Sequence, residues 1–224
     1  MVRFRDRRDA GQRLGQVLAQ DGLPHPVVLA IPRGGVPIAV RIAAALGCPW
    51  DVVVVRKLAV PWNPELGFGA VAVDGTTIEN RQFLDRTGLT ASQVERIRAE
   101  ALREAERRDR LYRAGRPSPD LTGRSVVLTD DGLASGYTVL AAVEWVKKAG
   151  PLQVIVATPV ASDSAAALVE LAADRLAALH VSDARNFAVA DFYTDFAQLT
   201  DEGVLTYLEA GPSRLCTVRE GVSG

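Results

Sequence analysis

Two adjacent carboxylates, Asp130 and Asp131, followed by Gly132-Leu133-Ala134-Ser135-Gly136-Tyr137-Thr138, form the stretch of this chain best suited to chemistry. An apolar run, Val126 to Leu128, leads into the acids, and a second one, Val139 to Val146, follows the turn. The order predicts a strand, an acidic pair, a small-residue turn and a helix. A helix N-terminus leaves backbone N–H groups free to hold an anion such as a phosphate. Ser135 and Thr138 add hydroxyl donors, Ala134 and Gly136 let the chain approach the anion closely, and Tyr137 offers its N–H. Asp130 and Asp131 are acceptors suited to two ribose hydroxyls. The same residues also suit a plain turn and helix cap. A serine-hydrolase elbow fits poorly, because Gly132 to Gly136 place the serine one position late for Gly-x-Ser-x-Gly.

A second constellation lies upstream. Residues 27–46 read as a buried strand, a Pro-Arg-Gly-Gly turn and an apolar helix. Arg33 offers a planar donor fork, and Gly34 and Gly35 expose N–H groups, a combination suited to a diphosphate. Arg56 and Lys57 close a predicted strand over 51–56, and basic residues at strand ends of a parallel sheet lie at its ligand edge.

Taken in order, these motifs resemble those of type I phosphoribosyltransferases. The segment at 126–138 is similar to that family's phosphoribosyl-pyrophosphate (PRPP) motif, residues 32–35 to its diphosphate loop, and Val55 to Leu58 to the matching strand of adenine phosphoribosyltransferases. The resemblance implies an α/β fold: a parallel five-stranded sheet flanked by helices, with an inserted hairpin and helix and a small C-terminal hood. It implies transfer of ribose 5-phosphate from Mg2+-bound PRPP to a nitrogenous base or related nucleophile, with release of diphosphate. Asp130, Asp131 and Arg33 would then be the catalytic set. Ala134, Ser135, Gly136, Tyr137 and Thr138 would bind the 5′-phosphate, and Arg33, Gly34, Gly35, Arg56 and Lys57 the diphosphate. No protein ligand to the metal is assigned directly; Asp130 and Asp131 would reach it through water. Phe187, Phe192 and Tyr193, in an aromatic-rich segment near the C-terminus, would face the acceptor. Four departures stand out: Ser135 where Thr is usual, a mild change; Tyr137 where Gly or Lys is common; Ala134 where some purine enzymes carry an acid, which argues against that subgroup; and Thr158-Pro159 where 6-oxopurine enzymes often carry Lys, which argues against a guanine or hypoxanthine acceptor. The Ala134 and Tyr137 departures also keep open a non-catalytic nucleotide- or PRPP-binding regulator on the same fold.

The elements that must position these residues follow from periodicity. Strands are expected near 27–31, 51–56, 125–130, 152–158 and 176–181, and helices near 6–20, 36–46, 137–149 and 162–173. Between 61 and 123, Leu66 to Val73 and Thr76 to Ile78 flank Asp74-Gly75, a hairpin signal, which the resemblance makes a mobile lid over the reaction. Thr90 to Gln93 then form a capping-box pattern opening a charged helix to about Tyr112. Its alternating Arg and Glu residues predict intrahelical pairing on a solvated or dimer-contact face rather than an RNA surface. The expected organisation is one domain over 1–210, a hood over 182–210 and a tail over 211–224.

Composition agrees. The chain has 224 residues and a net charge of −1, which gives no general attraction to nucleic acid or membrane. Two cysteines, Cys48 and Cys216, and two histidines, His25 and His180, form neither a disulfide framework nor a metal-ligand spacing. The opening Met-Val-Arg-Phe-Arg-Asp has no secretion-signal character, so a cytoplasmic protein is expected, a possible homodimer with PRPP and a small-molecule acceptor as partners.

Overall fold

A computed structural model describes residues 3–210; the expected tail and Cys216 lie outside the described residues. In chain order the elements are α1 (Arg7–Leu18), β1 (Val27–Ala30), α2 (Gly35–Leu46), β2 (Trp50–Val52), β3 (Val55–Val60), β4 (Asn63–Ala72), β5 (Thr77–Glu79), α3 (Arg81–Thr87) and α4 (Ala91–Arg113). They continue with β6 (Ser125–Thr129), α5 (Tyr137–Lys147), β7 (Gln153–Ser162), α6 (Asp163–Ala172), β8 (Arg175–Ser182), a 3-10 turn at Val189–Phe192 and α7 (Asp201–Ala210).

The core is a parallel sheet in the order β2-β1-β6-β7-β8. Its central strands are unbroken runs of buried apolar residues, as expected when helices cover both faces. One face packs against α5 and α6 through Leu29, Leu128, Val143 and Val169. The other packs against α1 and α2 through Leu14, Val28, Ile42 and Val127. With β1 and β6 paired in register, the turns after them open side by side at the sheet's carboxyl edge. That edge is where open α/β sheets bind ligands.

The expected strand over 51–56 is two strands. Core pairing of this segment ends with Val53 N–H donating to Ala30 O (2.9 Å), and Val55–Val60 then enters a second, antiparallel sheet, β3-β4-β5. Arg56 and Lys57 therefore begin a strand of the smaller sheet instead of closing one of the core. An uninterrupted valine run carries no punctuation, so nothing local marks the change of partner. The Asp74-Gly75 turn forms, with Gly75 at φ 85° and Asp74 accepting from Thr76 N–H, but Lys148 at the far end of α5 grips Asp74 (2.9 Å). The expected lid turn is thus anchored at the end of α5 opposite its N-terminus. It is Leu66 and Gly67 of β4 that border the cavity described below.

Helix α4 has the anticipated capping box and pairs its charges within itself, as in Arg107–Glu104, Arg108–Glu104 and Arg110–Glu106. One flank is not solvated: Val94 and Ile97 pack on Leu58, Phe68 and Val71 of the smaller sheet. At its end Arg113 is buried and ion-paired with Asp51 of β2 (3.2 Å). Among the described residues no helix is long and apolar enough to cross a membrane.

Candidate functional site

Strand β6 delivers Asp130 and Asp131 to the sheet edge, and the chain then turns into α5 at Gly136, whose φ of 79° lies in the left-handed region. A side chain there would be strained, which explains the glycine. The first turn of α5 has no intrahelical partner for its N–H groups and no side-chain cap. Ser135 is exposed and Thr138 half-buried, both beside those donors. The turn is stitched to an extension of β7: Leu133 N–H donates to Val160 O (2.9 Å), Ser162 N–H to Leu133 O (2.8 Å), and Ser162 Oγ to Ala134 O (2.7 Å). Ser162 also caps α6 by accepting from Ala165 N–H (3.1 Å). This is why β7 runs past the predicted 158 to 162.

The Arg33 loop meets this turn. A Cβ built on Gly34 would lie 2.0 Å from Asp131 Oδ2, and one on Gly35 would lie 2.4 Å from the Thr129 carbonyl oxygen. Both glycines are therefore required by close approach of the two segments. Replacing Gly35 with alanine pits a methyl against backbone rather than a yielding side chain. The expected result is a loss of about 1–3 kcal/mol, typical of overpacking, read as a lower midpoint in thermal unfolding.

Beside the acidic turn opens a cavity of about 550 Å3, lined by Asp130, Asp131, Gly132 to Gly136, Thr138, Lys57, Leu66, Gly67, Phe187 and Val189; the expected diphosphate glycines Gly34 and Gly35 are not among its lining residues. Its size suits a small-molecule ligand. Tyr137 does not line it but packs against the core. Arg33 does not line it either: its Nη1 lies 3.6 Å from Asp201 Oδ1 at the start of α7. Asp201 is also held by Tyr112 (2.6 Å) and Arg107 (3.3 Å). Arg56 borders a separate cleft of about 350 Å3 against α4, together with Glu104, and Lys57 borders both spaces. Burial and the neighbouring Arg108 push the Arg56 pKa down.

Of the three expected acceptor contacts, only Phe187 reaches the cavity wall. Phe192 is buried against Phe187 and His180, and Tyr193 against Phe4 and Phe196. Tyr193 Oη donates to the Asp131 carbonyl (2.7 Å) and so braces the acidic pair's main chain, but neither Phe192 nor Tyr193 lines the cavity. Helix α7, the last element of the expected hood, packs on α2 and α4 through Val204 and Leu208.

The acidic pair is strained electrostatically. Burial, then the charge of Asp131, pushes the Asp130 carboxyl well above the usual range; burial raises Asp131 as well, opposed by Arg7. Arg7, which sequence reasoning missed, donates to Asp131 Oδ2 from Nε (2.8 Å) and lies 2.7 Å from it at Nη2. A raised folded-state pKa means stability falls as pH climbs from the ordinary carboxylate range through the folded value, so at neutral pH the charge is a cost. Asp130→Asn is therefore expected to raise the unfolding midpoint at neutral pH. The gain should vanish near pH 4, where the folded carboxyl is protonated. Melts across pH check it.

A family model described as "Phosphoribosyl transferase domain" matches residues 8–191. A Mycobacterium tuberculosis H37Rv protein named provisionally as a phosphoribosyl transferase is 41% identical over 209 residues, 93% of this chain and 47% of that protein. The chain thus spans about half the length of the curated relatives it matches. A crystal structure of a Thermus thermophilus protein superposes with a TM-score of 0.75 at 42% identity, covering 92% of this chain and 98% of the other. An Aquifex aeolicus structure shares the fold at 14% identity, with a TM-score of 0.50 over 79% of this chain and 74% of the other.

Proposed function

Because this chain belongs to the phosphoribosyltransferase family, we propose that it transfers ribose 5-phosphate from Mg2+-bound PRPP to a nitrogenous base or related nucleophile, releasing diphosphate. The observation that carries this reading is the shared cavity of the acidic pair, the α5 N-terminal turn and Lys57. Such a space brings together an anion cradle, sugar-hydroxyl acceptors and a cation.

In this reading the N–H groups and hydroxyls from Ser135 to Thr138 hold the 5′-phosphate, with Ala134 and Gly136 giving room. Asp130 and Asp131 accept from the ribose hydroxyls and orient the anomeric carbon. Lys57 faces the diphosphate, and the Arg33 loop lies at the same sheet edge; the Gly35 N–H is donated to Ile31 O (3.1 Å), so Gly34 is the glycine left to this role. Arg33 joins them by exchanging Asp201 for the leaving group, whose charge grows as the glycosidic bond breaks. Arg56 supports this end from the neighbouring cleft. The sugar passes through an oxocarbenium-like state that the adjacent carboxylates favour. Phe187 and Val189 give the acceptor an apolar wall, on which a flat ring can stack.

The donor set suits a hard cation carried on the ligand. No group of three His, Cys, Asp or Glu side chains among the described residues could hold a metal, and Asp131 Oδ2 is taken by Arg7. Mg2+ would keep its water and use diphosphate and sugar oxygens, with Asp130 and Asp131 reaching it through water, and would neutralise leaving-group charge.

The test is to supply Mg2+ and labelled PRPP with a panel of bases and follow diphosphate. Base-dependent release supports transfer. PRPP binding without release under any base would make the protein a binding regulator instead. No PRPP binding at all would overturn the assignment.

A further inference from the structure

We infer that Arg7 is the positioning residue of the ribose subsite, holding the Asp131 carboxylate by Oδ2 in the orientation in which the acidic pair meets the sugar. The inference rests on the phosphoribosyl reading above and assigns a residue outside both motifs, in the first turn of α1.

All three guanidinium nitrogens of Arg7 have a task. Nε and Nη2 both lie within 2.8 Å of the same oxygen, Asp131 Oδ2, and Nη1 donates to the Ala197 carbonyl at 2.7 Å. The guanidinium carbon sits 3.8 Å from the Phe196 ring centroid. Its side chain is only 9% exposed, too little for a solvated surface pair, so it is screened weakly and held in one orientation. The partner carboxylate is confined from other directions too. Oδ2 abuts Gly34, and the Tyr193 hydroxyl fixes the Asp131 main chain. Three separate pieces of chain (α1, the 193–197 segment and the Arg33 loop) thus converge on one side chain of the acidic pair.

Arg7 does not itself touch the ligand space. It lines a different groove of about 330 Å3 with Pro37, Leu199 and Tyr207, sharing no lining residue with the main cavity. Its effect on a ligand therefore runs through Asp131. Two adjacent half-buried carboxylates repel, and without a cation one of them takes a proton, turning an acceptor into a donor. The ionisable groups facing Asp131 are Asp130, Arg7 and Tyr193, and Arg7 is the cation among them.

Calorimetric titration of Mg2+-PRPP into wild type, Arg7→Ala, Asp131→Ala and the double variant decides the matter. Loss of a charge-assisted pair should weaken donor affinity about tenfold or more in Arg7→Ala. In the double variant affinity should fall no further than in Asp131→Ala alone, because the two residues act as one unit. Arg7→Lys, which keeps the charge but cannot fork, should recover part of the loss. A merely structural arginine would lower the unfolding midpoint yet leave the folded protein's affinity within about twofold, or give losses that add in the double variant; either result overturns the inference. Should Arg7→Ala fail to fold, Arg7→Lys carries the test alone: unchanged affinity refutes the role and a severalfold loss supports it. If wild type binds but the variants do not differ, only the Arg7 assignment falls. Wild type that does not bind PRPP sinks the donor reading and this inference together.

Discussion

Asp131→Ala is expected to abolish measurable transfer, with PRPP affinity down about ten- to a hundredfold. In the proposed function the carboxylate is a charged acceptor for a sugar hydroxyl, an interaction worth about 1.5–3 kcal/mol. Its removal also strands the Arg7 guanidinium, 9% exposed, beside an empty position. An uncompensated buried charge is the costlier half of a broken pair. Activity and stability should therefore fall together in Asp131→Ala. In Asp130→Asn they should diverge, with activity lost and stability gained at neutral pH. The contrast arises because Arg7 donates to Asp131, whereas it acts on Asp130, the more strongly raised of the two, through its charge alone. Parallel melts and PRPP titrations of both variants separate the two effects.

Arg113→Ala should be the most destabilising single change in the scaffold that carries the site. Arg113 lies 3.2 Å from Asp51, donates to the Val52 carbonyl (3.0 Å) and pairs with Asp109 (2.9 Å), with its side chain 7% exposed. It pins the end of α4 to the edge strand of the core sheet, and through α4 holds the smaller sheet on which Arg56 and Lys57 ride. Removing one partner of a buried pair costs about 3–5 kcal/mol, because Asp51 is left charged and dry. In a chain of this size that corresponds to a fall of about 10 °C in the unfolding midpoint. Arg113→Met combined with Asp51→Leu should recover much of the loss, since apolar pairs of similar volume replace buried ion pairs without penalty. A midpoint within about 2 °C of wild type in Arg113→Ala would show that the pair contributes nothing.

What the sequence made legible was local. The acidic pair, the 134–138 turn and the Arg33-Gly34-Gly35 loop each sit on one continuous strand-turn-helix unit, so type and spacing were enough to find them. The parallel core was equally readable, because strands covered on both faces appear as apolar runs. Arg7 was not, since its meaning depends on a contact with a residue 124 positions away. Asp201 and Ser162 escaped for the same reason: each reads as an ordinary helix start, and only folding brings them to Arg33 and to the turn before α5. The break between β2 and β3 was hidden because Val52 to Val55 suit either sheet. Aromatic content near the C-terminus signalled an apolar cluster but not which ring faces outward, and burial gave Phe192 and Tyr193 to the interior and left Phe187 at the wall.

The position of a bound activated sugar phosphate is the most direct test. A crystal structure of the protein soaked with Mg2+ and PRPP should show the 5′-phosphate on the N–H groups of residues 135–138 and the ribose hydroxyls on Asp130 and Asp131, with diphosphate toward Lys57 and the Arg33 loop. A ligand bound outside this cavity, or inside it with its phosphates reversed, would contradict the assignment.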